Sequence, residues 1–467
     1  MSANVDAPHD VATPPGSGGL FASLLQGPTL PALAARLGAK LAAWRDPIRF
    51  GEFVIVARHA HVLEVLHRDL DFLIAPINEK RIVEVNGPFI LGMDRGATLV
   101  RERGALYQAL AAVDLAPIHR SIEDEAAQRV AAADGKIDVV DAYARPIAAH
   151  TATALFGIRG SDERTFMDVA RAIFGHVFLN LTDDDDIRQR ALRAAALMEA
   201  WFKDEIERRR TSGDLGTDMM GALMTAQAVD DDGVRRTLGG MLVGSIATTA
   251  SSVAKIVVMI ARDRELAKRI TADVDDETRL AGWCREALRR WPHNPIVLRQ
   301  AGGATKVGDK DVQQGDRIFA WTQAAMLDAE AFPDPQYLRP DRPPAAYLHF
   351  GGGLHPCAGR SVNAFQIPAL VGALVRRGIK SVGKMQWAGS FPAHPVEGER
   401  RDDGDEGMAH GAHRPKRTGR WAGNAPAHCI LPTDLIPRRI KAPTSAGIWK
   451  AFTVRPAQGC SPPPKCR

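Results

Sequence analysis

Cys357 stands in the run Phe350-Gly-Gly-Gly-Leu-His-Pro-Cys-Ala-Gly-Arg360, where an extended loop gives way to an apolar stretch, Phe365 to Val375, that reads as helix. A thiol at a helix N-terminus faces exposed N–H groups and the positive end of the helix dipole, and both favour the thiolate. Such a thiolate suits a permanent metal ligand. Three consecutive glycines carry no Cβ, so the backbone there can approach a flat, bulky partner closely. Zinc fits poorly, because a structural zinc site wants four ligands and the 5 cysteines contain no Cys-x-x-Cys pair. The competing reading of Cys357 is a buried structural thiol in a glycine-rich turn.

Other chemistry-bearing residues have to be brought to this loop by particular elements. Glu286 and Arg289, three apart in Cys284-Arg-Glu-Ala-Leu-Arg-Arg-Trp-Pro292, share one face of a helix that the proline stops. A proline-rich segment, residues 333–343, follows with Arg339 and Arg342. Asp230-Asp-Asp-Gly233 places acids at the positive end of a helix expected from Val234 to about Asp263, roughly 45 Å long. Its middle reads Gly244-Ser-Ile-Ala-Thr-Thr249, where small residues leave a groove and the hydroxyls of Ser245, Thr248 and Thr249 can hand on protons. Those hydroxyls read equally as small polar residues that relieve helix packing.

Taken together and in this order, the segments resemble the cytochrome P450 family. The family's haem loop, Phe-x-x-Gly-x-His-x-Cys-x-Gly, is matched by Phe350, Gly353, His355, Cys357 and Gly359. The resemblance implies haem b with Cys357 as the iron ligand. It implies a mainly α fold with small β-sheets, the haem lying between a long distal helix and the proximal Cys-bearing helix. Glu286 and Arg289 would meet Arg342, with Arg339 close by as the other candidate, in a buried network below the haem. Thr248 matches the family's distal threonine, with Thr249 beside it. Ala247 stands where the family usually has an acid, a departure that removes one proton donor. Arg299, in Ile-Val-Leu-Arg-Gln, and His355 are expected at the haem propionates, since two buried carboxylates need partners. Arg103 is a further candidate there, although Leu99 replaces a histidine the family often has, and Arg101 and Arg103 read equally as a solvated helix face.

The activity implied is monooxygenation: one atom of O2 placed into a hydrophobic small molecule, with electrons from a ferredoxin or flavodoxin. Haem does the hard chemistry and the protein supplies placement and proton routing. Ala247 raises a peroxide-driven oxygenase or haem isomerase as the alternative. A haem-binding sensor or electron carrier is the alternative from another class. Arg285, Arg290 and Arg360 are candidates for docking an acidic carrier, or plain surface charges. Segments 76–93 and 172–186, with Phe89-Ile-Leu91 and Phe174 to Leu181, are expected to line an apolar pocket. Asp183–Asp186 reads as a loop and helix cap rather than a metal site.

Composition agrees: 45% hydrophobic and 25% charged residues are ordinary for a globular protein. No run of eighteen apolar residues and no secretory signal is visible, and the few cysteines argue against a disulfide framework. With the resemblance, this implies the soluble, bacterial style of the family: a cytoplasmic protein without a membrane span, expected to be a monomer. Fold and turn signals place strands at Phe53–Val56 and Phe72–Ile74, a helix at His59–His67, and a small sheet from Lys306 to Phe319. Residues 1–19 read as a flexible leader and 20–391 as the haem domain. From 392 to 467 the hydrophobic pattern stops, and this tail holds 13 Lys+Arg against 7 Asp+Glu, a net of +6 in a chain of +5. The alkaline pI of about 9.0 therefore belongs to the tail. Without aromatic–basic interleaving or ligand spacing, neither a nucleic-acid role nor a metal knuckle at Cys429, Cys460 and Cys466 is expected. The tail is expected to be disordered or the product of a shifted reading frame.

Overall fold

Asp230 starts the longest helix, Asp231–Arg262: its carboxylate accepts the Gly233 N–H at 2.7 Å, and Asp231 and Asp232 complement the positive helix end. This is the helix anticipated from the acidic run. By length and composition it could cross a membrane, yet 72% of its apolar window is buried inside the protein's own core. It is the axis of the molecule. Helices Arg145–Phe156 and Glu163–Phe174 pack on it, as does Arg360–Arg377, which begins three residues after Cys357. Val253, Ala254 and Val257 of the long helix and Leu370, Val371 and Leu374 of the Cys-bearing helix belong to one continuous apolar cluster.

The computed structural model describes residues 46–383 except 181, together with 35, 37–41, and the backbone at 387–388, 391–392 and 428–430. All described residues lie in one compact unit. The proposed leader and most of the basic tail lie outside the described residues.

A five-stranded sheet runs in the order Ile48–Phe50, Phe53–Val56, Arg317–Ala320, Val297–Ala301, Phe72–Leu73. Phe53–Val56 pairs parallel with Arg317–Ala320, while Val297–Ala301 pairs with the latter antiparallel, setting Arg299 opposite Ile318. The stretch from Lys306 to Phe319, expected as one small sheet, divides. Thr305–Val307 and Lys310–Val312 make a hairpin, and the next strand joins the larger sheet. Helix His59–His67 has the bounds its periodicity predicts. One strand falls inside the supposedly patternless tail: the backbone of His428–Ile430 pairs with Lys136–Asp138 and with Ser381–Val382. Backbone pairing of this kind leaves no side-chain period to read.

Candidate functional site

The Cys357 loop is built by its glycines and anchored from both sides. Gly353 has φ +65°, and a Cβ there would lie 1.7 Å from the carbonyl oxygen of Leu66, so helix His59–His67 forces this glycine. Close approach to that helix, rather than to a flat ligand alone, therefore explains one of the three glycines. Cys357 N–H donates to the Phe350 carbonyl at 2.8 Å, closing the loop. The cysteine is solvent-accessible although protein atoms crowd its sulfur. Burial is the largest influence and pushes the thiol pKa up, against a hydrogen bond from the Gly359 N–H and the charge of Arg360, which lower it. The helix terminus alone thus does not make the thiolate; a bound metal cation deprotonates such a thiol outright. Accessibility is what ligation requires, and Cys357 is an exposed residue.

Beneath the loop, Glu286 and Arg289 are both fully buried. Arg289 Nε and Nη2 meet the two Glu286 oxygens at 2.8 and 2.9 Å, and its remaining N–H groups reach the carbonyls of Met326, Pro335 and Tyr337 at 3.0 Å. The two candidate arginines divide the remaining work. Arg342 Nε lies 3.5 Å from Glu286 as an ion pair, whereas Arg339 gives Glu286 its backbone N–H at 2.9 Å and turns its guanidinium to Asp334. Gly282 lets the proline-rich segment approach, since a Cβ there would sit 2.1 Å from the Pro340 carbonyl oxygen. Tyr347, missed in the sequence, completes the network by donating to Glu286 at 2.7 Å. Burying a carboxylate demands all of these donors, because removing one partner of a buried pair costs about 3–5 kcal/mol.

Three basic groups converge beside the loop. Arg299 is only 4% exposed, its guanidinium donates to the Leu298 carbonyl at 2.7 Å, and no carboxylate of the described residues forms a salt bridge with it. Burial pushes its pKa down to about 10. His355 is pushed down to about 4, first by burial and then by the charges of Arg299 and Arg103. Nearby acids are already committed: Asp94 accepts the N–H groups of Ile74 and Ala75, and Asp69 is gripped by Arg95 at 2.7 and 2.9 Å. The Arg299 and Arg103 guanidiniums can pair with a dianionic ligand and the neutral His355 ring can donate to it, which fits two haem propionates. Arg103 stacks over Tyr107 at 5.1 Å, whereas Arg101 is exposed.

On the long helix, Gly244, Ser245, Ala247 and Thr248 are partly accessible, while Leu242, Val243, Ile246, Thr249 and Ala250 around them are buried. A Cβ on Gly244 would meet nothing within 4 Å, so the strip borders open space. Thr248 Oγ1 donates to the Gly244 carbonyl at 2.6 Å. Thr249 is different: only 2% exposed, it donates to Asn363 Oδ1 on the Cys-bearing helix at 3.2 Å. Thr248 therefore borders the open strip, and Thr249 faces the other helix.

Other sequence candidates are placed as follows. Asp184 caps helix Asp185–Ser212 through the Ile187 N–H, and Asp183 is paired with Arg81 at 2.7 Å. Arg360 is exposed, whereas Arg285 and Arg290 are partly buried. Fully buried Lys255 donates to the Pro292 carbonyl at 2.7 Å, and burial drives its pKa far down. It went unnoticed in the sequence, although a lone lysine within the apolar run Ala250–Ile260 is a legible signal.

Comparisons with known proteins agree on the family. The cytochrome P450 family profile matches residues 125–377, more than half of the chain. Over 420 residues the chain is 24% identical to cyclooctat-9-en-7-ol 5-monooxygenase of Streptomyces melanosporofaciens, an alignment covering 75% of this chain and 88% of that protein. Mycinamicin IV hydroxylase/epoxidase of Micromonospora griseorubida is 26% identical over 280 residues, 58% of this chain and 67% of that one. The crystal structure of CalO2 superposes with a TM-score of 0.68 at 22% identity, over 78% of this chain and 94% of that one, a likeness of fold.

Proposed function

The chain belongs to the cytochrome P450 family and is a haem b monooxygenase, and from that premise we propose that it oxidises a hydrophobic small molecule with electrons from a ferredoxin- or flavodoxin-type carrier in the cytoplasm. The observation that carries this reading is the exposed Cys357 two residues from His355, whose ring feels the charges of Arg299 and Arg103. In this reading Cys357 holds the iron, Phe350, Gly353 and Gly359 shape the loop, and Arg299, His355 and Arg103 hold the propionates. When bound, the haem supplies oxygen activation, aided by electron donation from the thiolate.

The protein's own residues do the rest. Thr248 is assigned the proton hand-off at the open strip, with Ser245 one turn away. Glu286, Arg289 and Arg342 hold the segment that carries the loop. Of the two segments expected to line the pocket, Phe89 is buried in the main apolar core and Phe178 packs against it. Arg360 is exposed and is assigned to carrier docking.

A second reading has its own observation. From Gly233 to Arg262 the long helix contains no Asp or Glu, so protons must pass through hydroxyls, water or the substrate. That favours peroxide as an alternative oxidant.

The test is spectroscopic. Reduced protein under carbon monoxide is expected to show the red-shifted Soret band of thiolate-ligated haem, and Cys357→Ser is expected to lose it. A band of histidine-ligated type in the unsubstituted protein would refute the reading. Turnover with peroxide against turnover with a reductase system then separates the two oxidants, and a ligand screen read by the haem spin-state shift narrows the substrate.

A further inference from the structure

The buried contact between the long helix and the Cys-bearing helix is apolar around one polar tie. Val253 and Val257 on one side and Ile367, Leu370 and Val371 on the other share the same cluster. Methyl groups packed this way are forgiving of small rotations, whereas a hydrogen bond has a required direction. Thr249 Oγ1 supplies that direction by donating to Asn363 Oδ1 at 3.2 Å.

Both ends of the tie sit next to chemistry. Asn363 N–H donates to the Gly359 carbonyl at 2.9 Å, in the first turn of the Cys-bearing helix. A Cβ placed on Gly359 would lie 3.5 Å from Asn363 Nδ2 and 3.8 Å from Cys357 Sγ, so amide and sulfur flank the same glycine. At the other end, Thr249 adjoins Thr248 in the chain, and neighbours on an α-helix point about 100° apart. Turning Thr249 onto Asn363 therefore fixes which way Thr248 faces.

We propose that Asn363 is a positioning residue: by holding Thr249 it sets the rotational phase of the long helix against the Cys-bearing helix, and through that phase the place of the Thr248 hydroxyl relative to the Cys357 sulfur. The proposal rests on the haem-thiolate reading. It differs from packing alone because its effect must run through Thr248. It also gives the buried Thr249 a task distinct from proton transfer.

The experiment uses carbon monoxide as the probe and reads its infrared stretching band in the reduced, haem-loaded full chain. Asn363→Leu and Thr249→Val are expected to shift and broaden the band, while Thr249→Ser, which keeps the hydroxyl, retains it. In a Thr248→Val background, adding Asn363→Leu is expected to cause no further shift. A band unmoved by Asn363→Leu overturns the proposal, and so does a shift of equal size in the Thr248→Val background. If unsubstituted protein lacks the Soret band of thiolate-ligated haem, the haem reading itself fails and the proposal falls with it; a normal Soret band with an unmoved infrared band defeats the proposal alone.

Discussion

His349 stands one residue before Phe350, 5% exposed, with neither ring nitrogen hydrogen-bonded. Burial, reinforced by the positive surroundings of His293, Arg360 and Arg285, pushes its pKa down to about 3. An unfolded chain would protonate this imidazole near pH 6.5. As pH falls from about 6.5 towards 3, the unfolded state therefore binds the proton first, and stability falls across that window. At pH 5 the loss from this group is on the order of 2 kcal/mol. Denaturant titrations at pH 7 and pH 5 are expected to show the decline, and His349→Leu to make it shallower; equal slopes would remove His349 as its source. His293, also pushed down to about 3, contributes in the same direction and keeps the variant's decline above zero. Residues of this kind were not legible in the sequence. Cys357, Glu286 and Arg289 could be read because their spacing carries a pattern. His349 and Tyr347 acquire their roles only from residues brought in by the fold, Tyr347 from Glu286 61 positions earlier.

At the scale of elements, periodicity and caps did most of the work. Asp230, Gly157 and Pro292 mark boundaries that local chemistry alone explains: an N-cap, a left-handed C-cap and a helix stop. What periodicity could not give is which face of the long helix meets which neighbour. Ala247 and Thr248 are partly accessible while Thr249 turns to the Cys-bearing helix, a division set by tertiary packing. The accessible position of Ala247 makes a direct prediction. Ala247 is partly accessible although it packs against the apolar core, so Ala247→Asp is expected to fold with a modest loss of stability and to add a proton donor beside Thr248. With a ligand found by the spin-state screen, the share of reductant electrons recovered in product is expected to rise severalfold. Unchanged coupling would show that the hydroxyl route already suffices, and would remove Ala247 as the reason to favour peroxide.

Across the whole molecule, the haem-loop, Glu-x-x-Arg and threonine motifs lie within or beside elements that pack on one axis, and the family match ends at residue 377, with the Cys-bearing helix. The fold does not end there. Lys136–Asp138 and Ser381–Val382 lie far apart in the chain, and His428–Ile430 pairs with both as the middle strand of their sheet. Each would otherwise present unpaired N–H and C=O groups along an edge. This strand also stands inside the segment whose composition gave no sign of structure, so composition and backbone pairing make opposing claims about it. Two shortened chains decide between them. A chain ending at residue 427 lacks the strand, and one ending at 432 keeps it. If the pairing contributes, the first is expected to be less stable than the second by on the order of 1–3 kcal/mol, the net worth of a few backbone hydrogen bonds. Thermal melts of both, with the carbon monoxide Soret band as a check on the haem site, make the measurement. Coincident melts would mean that the strand adds nothing to the stability of the fold.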